Sequence, residues 1–243
     1  MKKIYVKAFL VFVLISGTAF AQKLSEALDA DTILARVVKG FAGVQDFVTA
    51  IDAEVNMERV QVPKMHAMMY FKRPDKVHFT SQGFLFVPRD GVTMNPAVLS
   101  QRYDASFIRT DTIEGLKLFK LQLAAKEKKT KLRQMYAWID PVHWTIAKIE
   151  TIPYEGRTLS TVFDYKFLQE KFWLPSKMIV TFGTTMEGER LANDSISQPA
   201  DQFSQMQRGV PRNGSVTILY SNYSVNVGLE DAMFEEKKGS DVH

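Results

Sequence analysis

Chemistry in this chain would have to come from a small set of residues. The four histidines are His66, His78, His143 and His243. A zinc site on a helix needs two imidazoles about one turn apart, and no two of these are so spaced. His66 and His78 could approach across neighbouring strands, but two strand histidines read better as surface residues. There is no cysteine, which excludes a thiol nucleophile, a disulfide framework and a lipid-modified N-terminal cysteine. No Gly-x-Ser-x-Gly elbow is present, and no glycine loop that would cradle a phosphate. Asp111 and Glu114 could pair as acid and base. Their setting, Thr-Asp-Thr-Ile-Glu-Gly, reads instead as a solvated hairpin bend. No acid, base and nucleophile come together, so no enzyme, cofactor or metal site is expected.

Charge points to no nucleic acid either. The formal charge is +4. Lys2, Lys3 and Lys7 lie in the first 21 residues with no acid beside them, so the remainder is nearly neutral. The run 126–133 is basic but has no interleaved aromatic residue. It reads as an exposed hairpin tip, with a docking patch for an anionic headgroup or acidic partner as the alternative. Residues 1–21 have the parts of a secretory signal: Lys2 and Lys3, an apolar core from Ala8 to Ile15, and Ala19-Phe20-Ala21 as a small-x-small site. Cleavage is expected after Ala21, giving a periplasmic protein beginning at Gln22. An uncleaved anchor is the alternative, although the apolar core falls short of the roughly 20 residues a bilayer requires.

The elements that could position a site are mostly strands. From Phe47 to Met57 the residues Phe47, Ile51, Ala53, Val55 and Met57 alternate with Asp52, Glu54 and Asn56. Such a period of two marks a strand with one dry and one wet face. After a turn at 61–64, Met65, Ala67, Met69 and Phe71 continue the dry face. Arg73-Pro74-Asp75 interrupts it, and Val77 and Phe79 resume. Phe84 to Val87 is a short apolar run, and Pro88 to Gly91 a turn. Further strands are expected at 105–109, 116–123, 132–140, 145–152, 157–165, 172–182 and 215–223, about ten in all. A slip of phase at Leu118–Phe119 predicts a bulge or a segment dry on both faces. Helices are predicted at 31–43, capped by Asp31 or Thr32 and ended by Gly43, and at 95–101, with Asn95 as cap and Pro96 first. Residues 184–214 read as a long loop, and 235–243 as a frayed tail. The first helix presents Ile33, Leu34, Val37, Val38 and Phe41 on one stripe, which suits either a helix docked on a core or a cover over the mouth of a curved sheet.

The order of these pieces resembles the LolA/LolB-like family of outer-membrane lipoprotein carriers, with RseB and LppX among its relatives. The resemblance rests on Thr32 to Phe41, Phe47 to Met57, Tyr70 to Val77, Asp90-Gly91, Trp138-Ile139-Asp140, Phe163-Asp164-Tyr165 and Trp173-Leu174-Pro175. It implies a mainly β fold, a half-open antiparallel β-barrel with short lid helices over an apolar cavity, spanning 22–243 as one domain. It further implies that the cavity takes acyl chains of a lipoprotein or other lipid, with no enzyme activity and no metal. An arginine on a strand tethers the lid in the carrier. Here Arg59 ends its strand and Arg73 sits in a turn, so neither takes that place. Alternation assigns Met57, Met65, Met69, Phe71, Phe79 and Leu121 to the cavity, and methionine suits a soft lining. Ile33, Val37 and Phe41 belong to the lid. The expected partners are acyl chains, an envelope donor or acceptor protein and a transient membrane contact, around a monomer. Two other readings remain open. One is an envelope sensor or scaffold of the same fold, using 184–214 and 126–133 as contact surfaces; the other is a β-domain with a filled core.

Overall fold

The computed structural model describes residues 29–57, 60–81, 95–127, 132–153, 158–183 and 214–235. Its sheet is built around β1 (Asp46–Met57), whose alternation is realised with the predicted facing. Phe47, Ile51, Ala53 and Val55 are buried, while Asp52, Glu54 and Asn56 are exposed. β1 pairs on one side with β3 (Met65–Lys72), placing Phe47 opposite Phe71. On the other side it pairs with β11 (Gly214–Val225), placing Phe47 opposite Val225. A two-residue strand, β2 (Val60–Gln61), folds back on the end of β1. β4 (Lys76–Ser81) follows β3. The remaining strands form a meander: β5 (Tyr103–Ile113), β6 (Leu116–Ala125), β7 (Leu132–Asp140), β8 (Thr145–Pro153), β9 (Thr158–Leu168) and β10 (Phe172–Gly183). The sheet runs β4-β3-β1-β11-β10-β9-β8-β7-β6-β5, with every pair antiparallel. Among the described residues β4 and β5 do not pair, so the barrel stays open.

Two helices complete the architecture. α1 (Ala30–Phe41) buries Ala30, Ile33, Leu34, Val37 and Phe41, the predicted stripe with Ala30 added and Val38 only half-buried at its edge. Its cap is neither Asp31 nor Thr32. Asp29 accepts from the Thr32 backbone N–H at 2.7 Å, because Ala30 already joins the buried face and the helix begins a residue earlier. The Thr32 hydrogen bonds also hold the Asp29 carboxyl below its ordinary pKa. Gly43 lies past the helix end, but not in the left-handed conformation of a glycine cap. It is needed for close approach: a Cβ there would come within 2.9 Å of Phe172 Cε1. α2 (Pro96–Arg102) starts as expected, with the Asn95 side chain accepting from Ala97 N–H at 3.0 Å.

The phase slip in β6 has the second of its two causes. Leu118 packs with Tyr136, Trp138 and Ile152 in a separate cluster, whereas Leu121 and Leu123 belong to the main core. The sheet is dry on both faces here, and the irregular register lies across the pair in β5, between Phe107 and Arg109. β5 is also longer than the predicted 105–109. Asp111 sits within it rather than in a solvated bend, and the turn itself is Glu114-Gly115, both at positive φ. Asp111 Oδ2 accepts from the Trp138 indole at 2.8 Å and Oδ1 from Arg109 at 2.6 Å. Burial alone would raise its pKa. The hydrogen bonds from Trp138 and Arg109, with the charges of Arg109 and Lys120, lower it instead.

After β11 the chain does not fray at once. Residues 226–234 cross the start of β1 as a strap. The buried Asp46 carboxylate accepts from the backbone N–H of Val227 at 2.7 Å, Gly228 at 3.1 and 3.2 Å, and Leu229 at 3.2 Å. Asn226 accepts from Gln45 N–H and donates to the Gly43 carbonyl. Asp46→Ala would leave those donors without their acceptor. It is expected to lower folding stability by about 2–4 kcal/mol, read by urea denaturation at unchanged m. Asn at 46 should lose less, because one acceptor oxygen remains.

Further along the strap, Asp231 pairs with Lys72 at 2.9 Å and Lys76 at 2.8 Å. Hydrogen bonds from Lys76 and Lys72, then their charges, hold its pKa at about 2 against an ordinary 3.8. The folded value is the lower one, so this contribution is complete above the unfolded carboxylate value and is lost as pH falls through about 2. A carboxyl carbon NMR titration should place the Asp231 midpoint there, with Lys76→Ala moving it upward.

Candidate functional site

The concave face of the sheet meets α1. Of the six side chains assigned to a cavity, Met69, Phe71 and Leu121 are fully buried in the main core, and Met57, Met65 and Phe79 pack against it half-buried. Ile33, Val37 and Phe41 join the same core from α1. The sequence therefore brought both sets to one face, but as mutual packing. Phe71 stacks on Phe47 at 4.9 Å between ring centres and meets Phe41 edge-on at 5.9 Å. The expected vacant interior is largely filled with side chains in this closed arrangement, because α1 supplies the apolar volume that the sheet's curvature leaves.

What remains is a cavity of about 40 Å³ under the C-terminal half of α1. Val37 and Phe41 form its roof, with Gly40 and the Pro96 ring of α2. Its walls are Ile146, Phe163, Tyr165, Trp173 and Pro175, and His143 and Trp144 stand in the β7–β8 turn. None of the six assigned cavity residues lines it. Tyr165 sits within β9 on the face it shares with Phe163, while Trp144 and Trp173 were missed because they lie at a turn and a strand end, where alternation does not assign a face. Their one signal was aromatic residues next to turns. The Tyr165 hydroxyl donates to the Ile146 carbonyl at 3.0 Å, and burial pushes its pKa upward. The walls thus carry no carboxylate and no amine, and His143 stands at the edge.

A second concavity, an open groove of about 490 Å³, runs along the other flank of α1. Asp31, Lys39, Asp104 and Lys126 line it together with Leu34, Val38 and Tyr103. Lys126, the described start of the basic run, donates to the Ser100 carbonyl at 2.9 Å. Residues 128–131 and 184–213 lie outside the described residues, as do the signal segment, Arg59, the 84–91 pieces and His243.

α1 is fixed to the sheet unevenly. At its C-terminal end Arg73 Nη1 donates to the Ala42 carbonyl at 2.9 Å, so an arginine does hold this helix, though from a turn. Along its length Arg36 lies over the Trp144 ring at 4.6 Å. Among the described residues no hydrogen bond joins an α1 side chain to the sheet. The helix is seated by apolar burial and anchored at one end. His66 sits beside Asp52 and His78 against Tyr70, so the strand histidines do not meet.

Comparison with known proteins agrees with this geometry. A domain assigned to outer-membrane lipoprotein sorting from Vibrio parahaemolyticus superposes with a TM-score of 0.57 at 13% identity, covering 83% of this chain and 95% of that one. A LolA superfamily protein from Nitrosomonas europaea gives 0.56 at 12%, covering 86% and 99%. The chain shares the fold of these two structures. A DUF1329 family protein from Desulfovibrio piger gives 0.56 at 14%, covering 85% and 97%. No family model matches the sequence, and no curated protein matches it. The chain thus shares an architecture with these structures at identities that speak to fold alone.

Proposed function

We propose that the protein is a periplasmic carrier that binds acyl chains of a lipoprotein or lipid between α1 and the concave face of the sheet. The observation that carries this reading is the seating of α1, a helix anchored at one end and otherwise held by apolar contact over an apolar wall. Burying Ile33, Leu34, Val37 and Phe41 contributes about 6–12 kcal/mol at about 1.5–3 kcal/mol each. An acyl chain gains about 0.8 kcal/mol per methylene, so roughly 8–15 methylenes match what α1 gives up. That is the length range of ordinary membrane acyl chains. Cargo and lid would then exchange at near balance, as a protein that both loads and releases requires. The 40 Å³ cavity is the seed of the seat, and Met57, Met65, Met69, Phe71, Phe79 and Leu121 become its wall when α1 lifts. The test is purification from a periplasm, followed by lipid extraction and mass spectrometry, with titration of a fluorescent fatty acid. Saturable uptake near one chain per protein is expected. A protein that emerges empty and ignores the probe would overturn the reading.

A further inference from the structure

In the meander the β5–β6, β7–β8 and β9–β10 turns all fall at one end of the sheet. That end carries large apolar side chains turned outward. Val142 in the β7–β8 turn is 75% exposed, Leu116 at the start of β6 61%, and Phe167 at the end of β9 50%. Behind Val142 and Phe167 lies a band of rings: Trp173 stands 5.0 Å from Phe167 and 4.3 Å from His143. His143, Trp144 and Trp173 also line the cavity under α1, so this rim is the threshold of the proposed seat. Arg36 and the exposed Lys171 flank it. Among the acidic groups nearby, Asp140 is turned onto its own hairpin, accepting from Val142 N–H at 2.8 Å and pairing with His143, while Glu170 and, in the β5–β6 turn, Glu114 face outward, the latter close in sequence to the exposed Lys117.

We propose that this rim is the face by which the protein docks on an anionic phospholipid bilayer, bringing the mouth of the acyl-chain seat to the lipid surface. The proposal rests on the carrier reading for its purpose but not for its geometry. The apolar side chains stand singly on separate turns. That suits insertion between headgroups better than a protein interface, whose centre is a contiguous desolvated patch. Tryptophan rings at the base of the turns match the depth at which such rings prefer to sit, and Arg36 and Lys171 lie where they can meet phosphates.

The experiment is co-sedimentation of the full chain with phosphatidylethanolamine vesicles containing increasing phosphatidylglycerol, beside tryptophan emission. Binding that rises with the anionic fraction is expected, with a blue shift removed by Trp173→Phe. The double variant Val142→Asp, Phe167→Ser should bind vesicles at least tenfold more weakly. Both positions are half or more exposed, so the fold should hold, as circular dichroism will check; Val142→Lys with Phe167 retained serves if it does not. Vesicle binding untouched by either variant, absence of binding, or a change of oligomeric state in place of vesicle binding would overturn the proposal. The fluorescent fatty acid, titrated without vesicles, keeps the two readings apart. Probe uptake without vesicle binding removes the docking face alone, and vesicle binding without probe uptake removes the carrier alone.

Discussion

Phe71→Ala is expected to lower folding stability by about 3–5 kcal/mol. Phe71 is 1% exposed, lies opposite Phe47 in the β1–β3 ladder, and touches Phe41 of α1. Truncation therefore opens a void bordered by both faces of the concavity, with the central strand on one side and the helix on the other. Neither can collapse far, since β1 is held between β3 and β11 and α1 is anchored at Ala42. Urea denaturation at constant m should report the loss, and Phe71→Leu should restore most of it, as volume-conserving changes do. Phe79→Ala, on the edge strand β4 and half-buried, should lose distinctly less. Equal losses at the two positions would mean that Phe71 is not at the centre of the packing.

Val37→Asp should act on the helix rather than on the sheet. Val37 is 2% exposed and roofs the cavity, with apolar side chains about it. An unpaired carboxylate there would oppose docking by about 3–5 kcal/mol, and only lifting α1 relieves it. The sheet's hydrogen bonds do not depend on the helix. Strand signals in circular dichroism should persist, while an environment-sensitive hydrophobic dye binds more strongly. If closed α1 competes with cargo, the fluorescent fatty acid should bind at least tenfold more tightly, because the competent state no longer has to be drawn from a minor population. Unchanged dye binding would show that α1 does not seal the face.

Much of this was legible in the chain. The alternation in 46–57 assigned the facing of β1, and Asn95-Pro96 marked the start of α2, because both depend on near neighbours. The α1 stripe was equally plain, although its cap fell outside the expected pair because Ala30 reads as neutral until its surroundings are known. Asp46 could not be foreseen as an anchor: its partners, Val227 to Leu229, arrive from the far end of the chain. The same holds for Leu118 and Trp138, whose second dry face exists only once β6, β7 and β8 lie side by side. The cavity lining failed for a related reason. Alternation tells which face is dry, but not whether helix side chains or a ligand will fill the hollow.

The position of β1 sets a condition on assembly. Its neighbours are β3, made soon after it, and β11, made after all the other strands. Until β11 emerges, β1 and β10 each present a bare ladder edge, and such edges recruit other chains. A growing polypeptide cannot finish this sheet early, and loop closure over so long a separation is slow. The chain would consequently stay threadable until β11 has been made, the condition in which a nascent protein can pass through a narrow pore.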